Sequence, residues 1–302
     1  MRRIVPLIFL IVIQAANAFA WGEEGHRIVC RIAYDLLTPD EQKKVDELTK
    51  AYDTPADTRL QIHSFPDGCV FADEARSKAE AAAKAGDTTS PWMHYKGFGN
   101  WHFINVERTV VTIPAEACGD DCVLSGIDKH SAMLKTGTTD QERGEGLFFL
   151  GHWVGDVHQP LHVSFADDRG GNNIEPVTGG FYPVPLRFPL NLHAVWDGAI
   201  LRKAIAVPGW RAFADRLEAQ ITDEQKAQWV TETPLQWAQE SYDITTSRDV
   251  QYCRKTHGEC RAFGHGRSLH ESYQEKFLDD VELRLEKAGV RLAAMIHTAL
   301  TP

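Results

Sequence analysis

The sequence predicts an all-α fold: a single, mostly helical domain with long loops and a short hairpin. Three observations predict it. Several segments open on helix-capping signatures, the longest apolar stretches repeat with helical rather than strand period, and strand signals are few. The first twenty residues stand apart from the domain. Arg2 and Arg3 form a basic start, Ile4 to Ile13 is apolar apart from Pro6, and Ala18-Phe19-Ala20 is a small-x-small cleavage site. Residues 1–20 therefore read as an export signal cut between Ala20 and Trp21, and 21–302 as one domain. The alternative of an uncleaved anchor is disfavoured, because a bilayer span needs about 20 apolar residues.

Within the domain, Thr38-Pro39-Asp40-Glu41 is a capping box with proline at the first helical position, opening a helix to about Lys50. Thr139 to Glu142 opens another, carrying Leu147, Phe148, Leu150, Trp153, Val154 and Val157. It should stop near His158, since Pro160 disfavours helix at Gln159. Thr233-Pro234-Leu235-Gln236 repeats the start signal. A last long helix runs from about Ser268 to Leu300, with Phe277, Val281, Leu285, Leu292 and Ile296 on one side. Extended pieces are expected at 103–113 and around Phe181 to Leu190. Glycine and proline mark 170–189 as a long loop. No repeat or low-complexity run is present.

The six cysteines, Cys30, Cys69, Cys118, Cys122, Cys253 and Cys260, all fall in the exported part and read as disulfides. The close pairs suggest Cys118–Cys122 and Cys253–Cys260, which leaves Cys30–Cys69. Spacing alone does not select among the connectivities. Losing Arg2 and Arg3 with the signal takes the formal net charge from −10 to −12, with 30 basic residues against 42 acidic ones. That sign excludes a broad basic surface for nucleic acid. A nucleic-acid function must rest on a local positive site, which bound cations would supply.

The residues for such a site are clustered. His152 and Asp156 are four apart on a predicted helix and leave one face of it. His193 and Asp197 repeat the spacing, and His162 follows just beyond Pro160. Imidazole with carboxylate is the donor set zinc uses in open, catalytic sites. Cleavage would also free the α-amine of Trp21, which at a pKa near 7.7–8.0 can give up its proton to a metal. That nitrogen and the Trp21 carbonyl could chelate one ion, with His26 as a further donor.

With these residues the chain resembles the zinc-dependent nucleases of the S1/P1 type, which share a superfamily with zinc phospholipases C. The resemblance spans the whole mature chain. It is carried by Trp-Gly-x-x-Gly-His at 21–26, Ala-Asp-Glu-Ala-Arg at 72–76, Trp-His-Phe-Ile-Asn at 101–105, the segment 151–162, Gly-Gly-Asn at 170–172 and Asn-Leu-His-Ala-Val-Trp-Asp at 191–197. It implies three Zn2+ ions. Asp73, His102, His152 and Asp156 would hold one, Trp21 and His26 a second with Asp156 bridging, and His162, His193 and Asp197 the third.

It further implies that Arg76 contacts the scissile phosphate, that a base stacks on Phe103, and that the Asn172 amide contacts a base. A metal pair about 3.5–4 Å apart would activate water for attack, and the third ion would stabilise the leaving oxygen. The reaction implied is cleavage of the P–O3′ bond of single-stranded DNA or RNA to leave 5′-phosphates, with 3′-nucleotidase activity alongside. Asp73, Arg76 and Asp156 are the catalytic candidates. A zinc phospholipase C and a non-catalytic zinc-binding envelope protein are the competing readings. Single-stranded nucleic acid or nucleotides are the expected partners of a monomer with no stable protein partner and no membrane span.

Two departures stand out. The loop from Pro176 to Pro189 is long, and Asn105 replaces an aspartate of some relatives. Trp153 and Trp196 read as packing residues and His158 as a supporting or exposed group. His63, His94, His130, His257, His265, His270 and His297 show no pattern.

Overall fold

The computed structural model describes residues 21–174, 177–178, 190–256, 259–262, 267–269 and 271–301. Helix α1 (Glu23–Asp35) opens with Glu23 and Glu24 at its positive end. The predicted capping box of α2 (Pro39–Ala51) forms, with Thr38 accepting from the Glu41 amide and Glu41 from the Thr38 amide. The short α3 (Phe65–Gly68) and α4 (Phe71–Ala85) lead into a 3-10 helix over Pro91–His102. Strand β1 (Ile104–Val106) and α5 (Val123–Thr136) follow. The capping box at Thr139 and Glu142 starts α6 (Asp140–His158), which stops at His158 as Pro160 requires.

A 3-10 turn over Pro160–His162 joins α6 to β2 (Val163–Phe165). Next come β3 (Val177–Thr178), α7 (Leu192–Ala194), a π-helical turn over Val195–Ala199, and α8 (Ile200–Ile205). The chain continues through α9 (Gly209–Gln220), α10 (Asp223–Trp229) and α11 (Pro234–Thr245). It finishes with β4 (Cys253–Thr256), β5 (Glu259–Ala262), β6 (Arg267–Ser268) and α12 (Glu271–Leu300).

Helix α6 is the axis. It is buried on every side from Gly144 to His158, as expected of a helix that is apolar all round. α5, α1, α2, α4, α11 and α12 pack against it. Two glycines on one face let neighbours approach closely. A Cβ on Gly151 would stand 2.5 Å from Cys69 Sγ, and one on Gly155 would stand 2.7 Å from His26 Nδ1. The three disulfides pair as expected: Cys30–Cys69, Cys118–Cys122 and Cys253–Cys260. The first ties α1 to the approach to α4. Closing its loop is worth about 4 kcal/mol in the chain-entropy account.

Two expectations need correction, and a third gains its position. Of 103–113 only Ile104–Val106 is strand, because a two-residue-period stretch needs a partner and β2 offers just three residues. The expected short hairpin is present as β4–β5, clasped by Cys253–Cys260, though no alternating apolar pattern gives its position. The last helix starts at Glu271 rather than Ser268, since Arg267 and Ser268 pair with β3. The segment 181–189 lies outside the described residues.

Candidate metal centre

Four elements converge on the carboxylate of Asp156, near the end of α6. The α6 turn supplies His152, α1 supplies His26, and the 3-10 helix supplies His102 at its last position. His162 arrives through the parallel pairing of β1 with β2. Register Ile104↔Val163 sets His102 beside His162, and His162 Nδ1–H donates to the His102 carbonyl at 2.6 Å. Asp156 Oδ1 lies 3.4 Å from His26 Nε2 and 3.6 Å from His162 Nδ1. Its Oδ2 lies 3.1 Å from His102 Nδ1 and 3.3 Å from His152 Nε2.

Asp73, in the first turn of α4, stands 3.8 Å from His102 and 3.7 Å from His152. On the other branch, His193 Nε2 is 3.2 Å from His162 Nε2 and 3.6 Å from Asp197 Oδ1. Three groups each place their ligand atoms within 4.8 Å of one another: His26/Asp73/His152, His102/His152/Asp156 and His162/His193/Asp197. The last is the grouping expected from sequence. The first two interleave, since His26 reaches Asp73 as well as Asp156. Trp21 is fully buried, and the next residue, Gly22, donates its N–H to the Asp197 carbonyl at 2.6 Å.

Backbone carbonyls set the imidazole tautomers. His152 Nδ1–H donates to Cys69 O at 2.7 Å, His162 to His102 O, and His193 to Gly170 O at 2.7 Å. Each Nε2 is thereby left as a bare lone pair, the form that ligates a metal. Two lone pairs 3.2 Å apart at His162 and His193 repel unless a cation lies between them. Buried atoms without a hydrogen-bond partner gather in the same place: both His26 nitrogens, His102 Nε2, Asp73 Oδ2, Asp156 Oδ1 and Asp197 Oδ2. Such orphans are costly in a native interior. A set of imidazoles and carboxylates that a cation would satisfy fits divalent metal well.

Electrostatics agree. Burial lowers His26, His102 and His162 well below their ordinary value and His193 to about 4, so the imidazoles are neutral. Burial raises Asp73 to about 7, and holds Asp156 and Asp197 well above the carboxylate range. Positive charge is what the cage lacks.

The remaining candidates border it. Arg76 is on α4, three residues past Asp73, and its charge lowers both Asp73 and Asp156, acting against burial. Its Nε also pairs with Glu80 at 3.1 Å. Phe103 is half-buried just after His102, and among the described residues no other ring stacks on it. Asn172 Nδ2 donates to Arg169 O at 2.9 Å, and its Oδ1 accepts from Asn191, the N-cap of the helix carrying His193.

Trp153 and Trp196 are fully buried packing residues. Trp153 makes perpendicular, edge-to-face contacts with His102 and His152. His158 is neither exposed nor merely near the cage. Fully buried, it donates to Val154 O and faces Arg291, which with Arg284 converges on Glu240. His94 pairs with Glu145 and His297 with Glu41, while His63 is exposed. His130 is buried against Trp153. His257, His265 and His270 lie outside the described residues.

Sequence reasoning also missed Gln159, whose buried amide donates to Asp197 Oδ1 at 2.5 Å. Its position beside Pro160, between two ligands, was the available signal.

The family model described as S1/P1 Nuclease matches residues 21–301. Endonuclease 2 of Arabidopsis thaliana is 29% identical, covering 95% of this chain and 93% of its own length. Nuclease S1 of Aspergillus oryzae is 22% identical over 98% of this chain and 97% of its own, and nuclease P1 of Penicillium citrinum is 24% identical over 92% and 97%. With a family match over residues 21–301, this chain belongs to the S1/P1 nucleases, hydrolases of the phosphodiester bond.

Proposed function

We propose that the mature chain, exported and cut between Ala20 and Trp21, is a three-zinc phosphodiesterase. It hydrolyses single-stranded DNA or RNA at the P–O3′ bond to leave 5′-phosphates, and it acts as a 3′-nucleotidase on mononucleotides. The observation that carries this reading is the convergence of four histidines on one buried carboxylate, Asp156. Asp73, His102, His152 and Asp156 would hold one ion. The Trp21 amine and His26 would hold a second, shared with Asp156, and His162, His193 and Asp197 the third. When bound, the ions supply Lewis-acid polarisation of the phosphate and lower the pKa of the attacking water.

The protein's own groups do the rest. Arg76 presents a fixed positive charge where the phosphorus builds up negative charge. Phe103 offers an unclaimed aromatic face, which suits an unpaired base better than a stacked one. Asn172 keeps one amide hydrogen and one lone pair for a base, the others being used within its loop. Its link to Asn191 couples that contact to the His193 turn. Among the described residues no helix is long and apolar enough to cross a membrane.

The test is direct. Mature protein with zinc should convert single-stranded DNA to 5′-phosphorylated products, and intact substrate would defeat the reading. Arg76→Gln should keep its metal and lose about a hundredfold in kcat, the usual cost of one charge-stabilising donor. Full activity in that variant would remove the role given to Arg76.

Metal uptake should depend on pH through the carboxyls. In the metal-free site the imidazoles are already neutral at pH 6, while Asp73 titrates near 7 and Asp156 and Asp197 higher than usual. Each ion bound at pH 6 must displace carboxyl protons, and the Trp21 amine with its pKa near 7.7–8.0 must lose one as well, so affinity should rise with pH through about 8 and fall on acidification. Calorimetry in buffers of different ionisation enthalpy reads the protons released. Zinc affinity that stays constant between pH 5.5 and 8 would contradict this.

A further inference from the structure

The turn after β2 carries a cation that the chemistry above leaves unused. Arg169 is exposed and holds φ at 55°, in the left-handed region that a side chain adopts at a cost of roughly 1–2 kcal/mol. The cost is met from beneath. Asp168, nearly buried, accepts from Tyr252 Oη at 2.5 Å and Gly171 N at 2.9 Å on one oxygen, and from Arg108 at 2.5 Å on the other. Arg108 also bonds Asp167 at 2.7 Å and lies 4.4 Å from the Phe165 ring centre. Gly170 N donates to Phe165 O, and Asn172 closes back on the Arg169 carbonyl. A turn held at so many points fixes where residue 169 projects, and strain of this kind gathers at functional sites.

Position and pairing then matter. The next residue, Gly170, gives its carbonyl to His193 Nδ1, so Arg169 is anchored one peptide from the His162/His193/Asp197 group. Arg108 is engaged by Asp167 and Asp168, and Arg76, one Nε contact to Glu80 aside, is assigned to the scissile phosphate. No salt bridge or side-chain hydrogen bond holds the Arg169 guanidinium among the described residues. Its charge nevertheless reaches the cage, where it joins burial and Arg76 in opposing protonation of His193. In a mature chain of net charge −12 an exposed cation rooted beside the cage is a resource for an anionic strand.

We propose that Arg169 is a substrate-binding residue that takes a phosphate next to the scissile one, on the His193 side of the centre. It would make the site favour a polynucleotide over a small diester. Guanidinium suits this task because its planar fork matches phosphate oxygens. The proposal rests on the nuclease reading given above.

The experiment compares two substrates with zinc-loaded mature protein: single-stranded oligodeoxythymidylate, and bis(p-nitrophenyl) phosphate, which has no flanking phosphate. Arg169→Gln should raise KM for the oligonucleotide about tenfold and flatten the salt dependence of log KM by about 0.7, one phosphate contact on a single strand. It should leave kcat/KM for the small diester within about twofold. Arg169→Lys should restore the salt dependence, and Arg169→Asn, which tolerates the left-handed backbone, should behave like Gln. Equal losses on both substrates would show that residue 169 merely shapes the loop. An unchanged KM for the oligonucleotide would overturn the assignment while leaving the nuclease reading intact. Wild-type protein that cuts the small diester and spares the oligonucleotide would overturn both.

Discussion

Asp156→Asn is expected to cost at least about a thousandfold in kcat and to strip bound metal from the protein. Both carboxylate oxygens are committed, one facing His26 and His162 and the other His102 and His152. The change removes one full negative charge from a cage whose cations would otherwise repel one another. The NH2 group it introduces would also donate to the His152 Nε2 lone pair, which a metal needs. Nothing nearby replaces the carboxylate, because Asp73 already faces His102 and His152 from the other side and Asp197 serves the His162/His193 group. Losing a single preorganised charge contact commonly costs about a hundred- to a thousandfold, and Asp156 serves more than one. Elemental analysis and initial rates on denatured DNA are the measurements. A variant with full metal content and near-normal turnover would show that the convergence on Asp156 is only structural.

The second large effect concerns the start of the chain. Protein carrying one extra residue before Trp21 should fold, lose about one equivalent of metal, and fall at least about a hundredfold in rate, the scale of one lost electrostatic contact. An internal amide nitrogen has no available lone pair, whereas a free α-amine with a pKa near 7.7–8.0 gives up its proton to a cation at neutral pH. Trp21 is fully buried, its indole N–H finds no partner, and Gly22 is pinned to the Asp197 carbonyl. Residue 21 is thus held next to the Asp197 backbone by its neighbours. Equal metal content and rate in extended and trimmed proteins would eliminate the terminal amine as a donor.

The helix starts at Pro39, Asp140 and Pro234 were legible because capping is local chemistry. Thr38, Thr139 and Thr233 each need only a glutamate or glutamine three residues on. The His152/Asp156 and His193/Asp197 pairs were legible for a related reason, since helical geometry turns a spacing of four into a shared face. What escaped depends on distant partners. The 3-10 helix ending at His102 and the π-helical turn holding Asp197 are set by what they pack against. The carbonyls of Cys69, His102 and Gly170, which fix three imidazoles, have no side-chain signature at all. His158 escaped because its partner Arg291 is 133 residues away.

The β1–β2 pairing has a consequence for how chains of this kind can diverge. Three residues against three lock His102 to His162 by register rather than by the length of chain between them. The loop between β1 and α5 can therefore gain or lose residues, as a hem can be let out, without shifting either imidazole. An insertion inside 104–106 or 163–165 would instead slide one histidine past the other and open the cage at its middle.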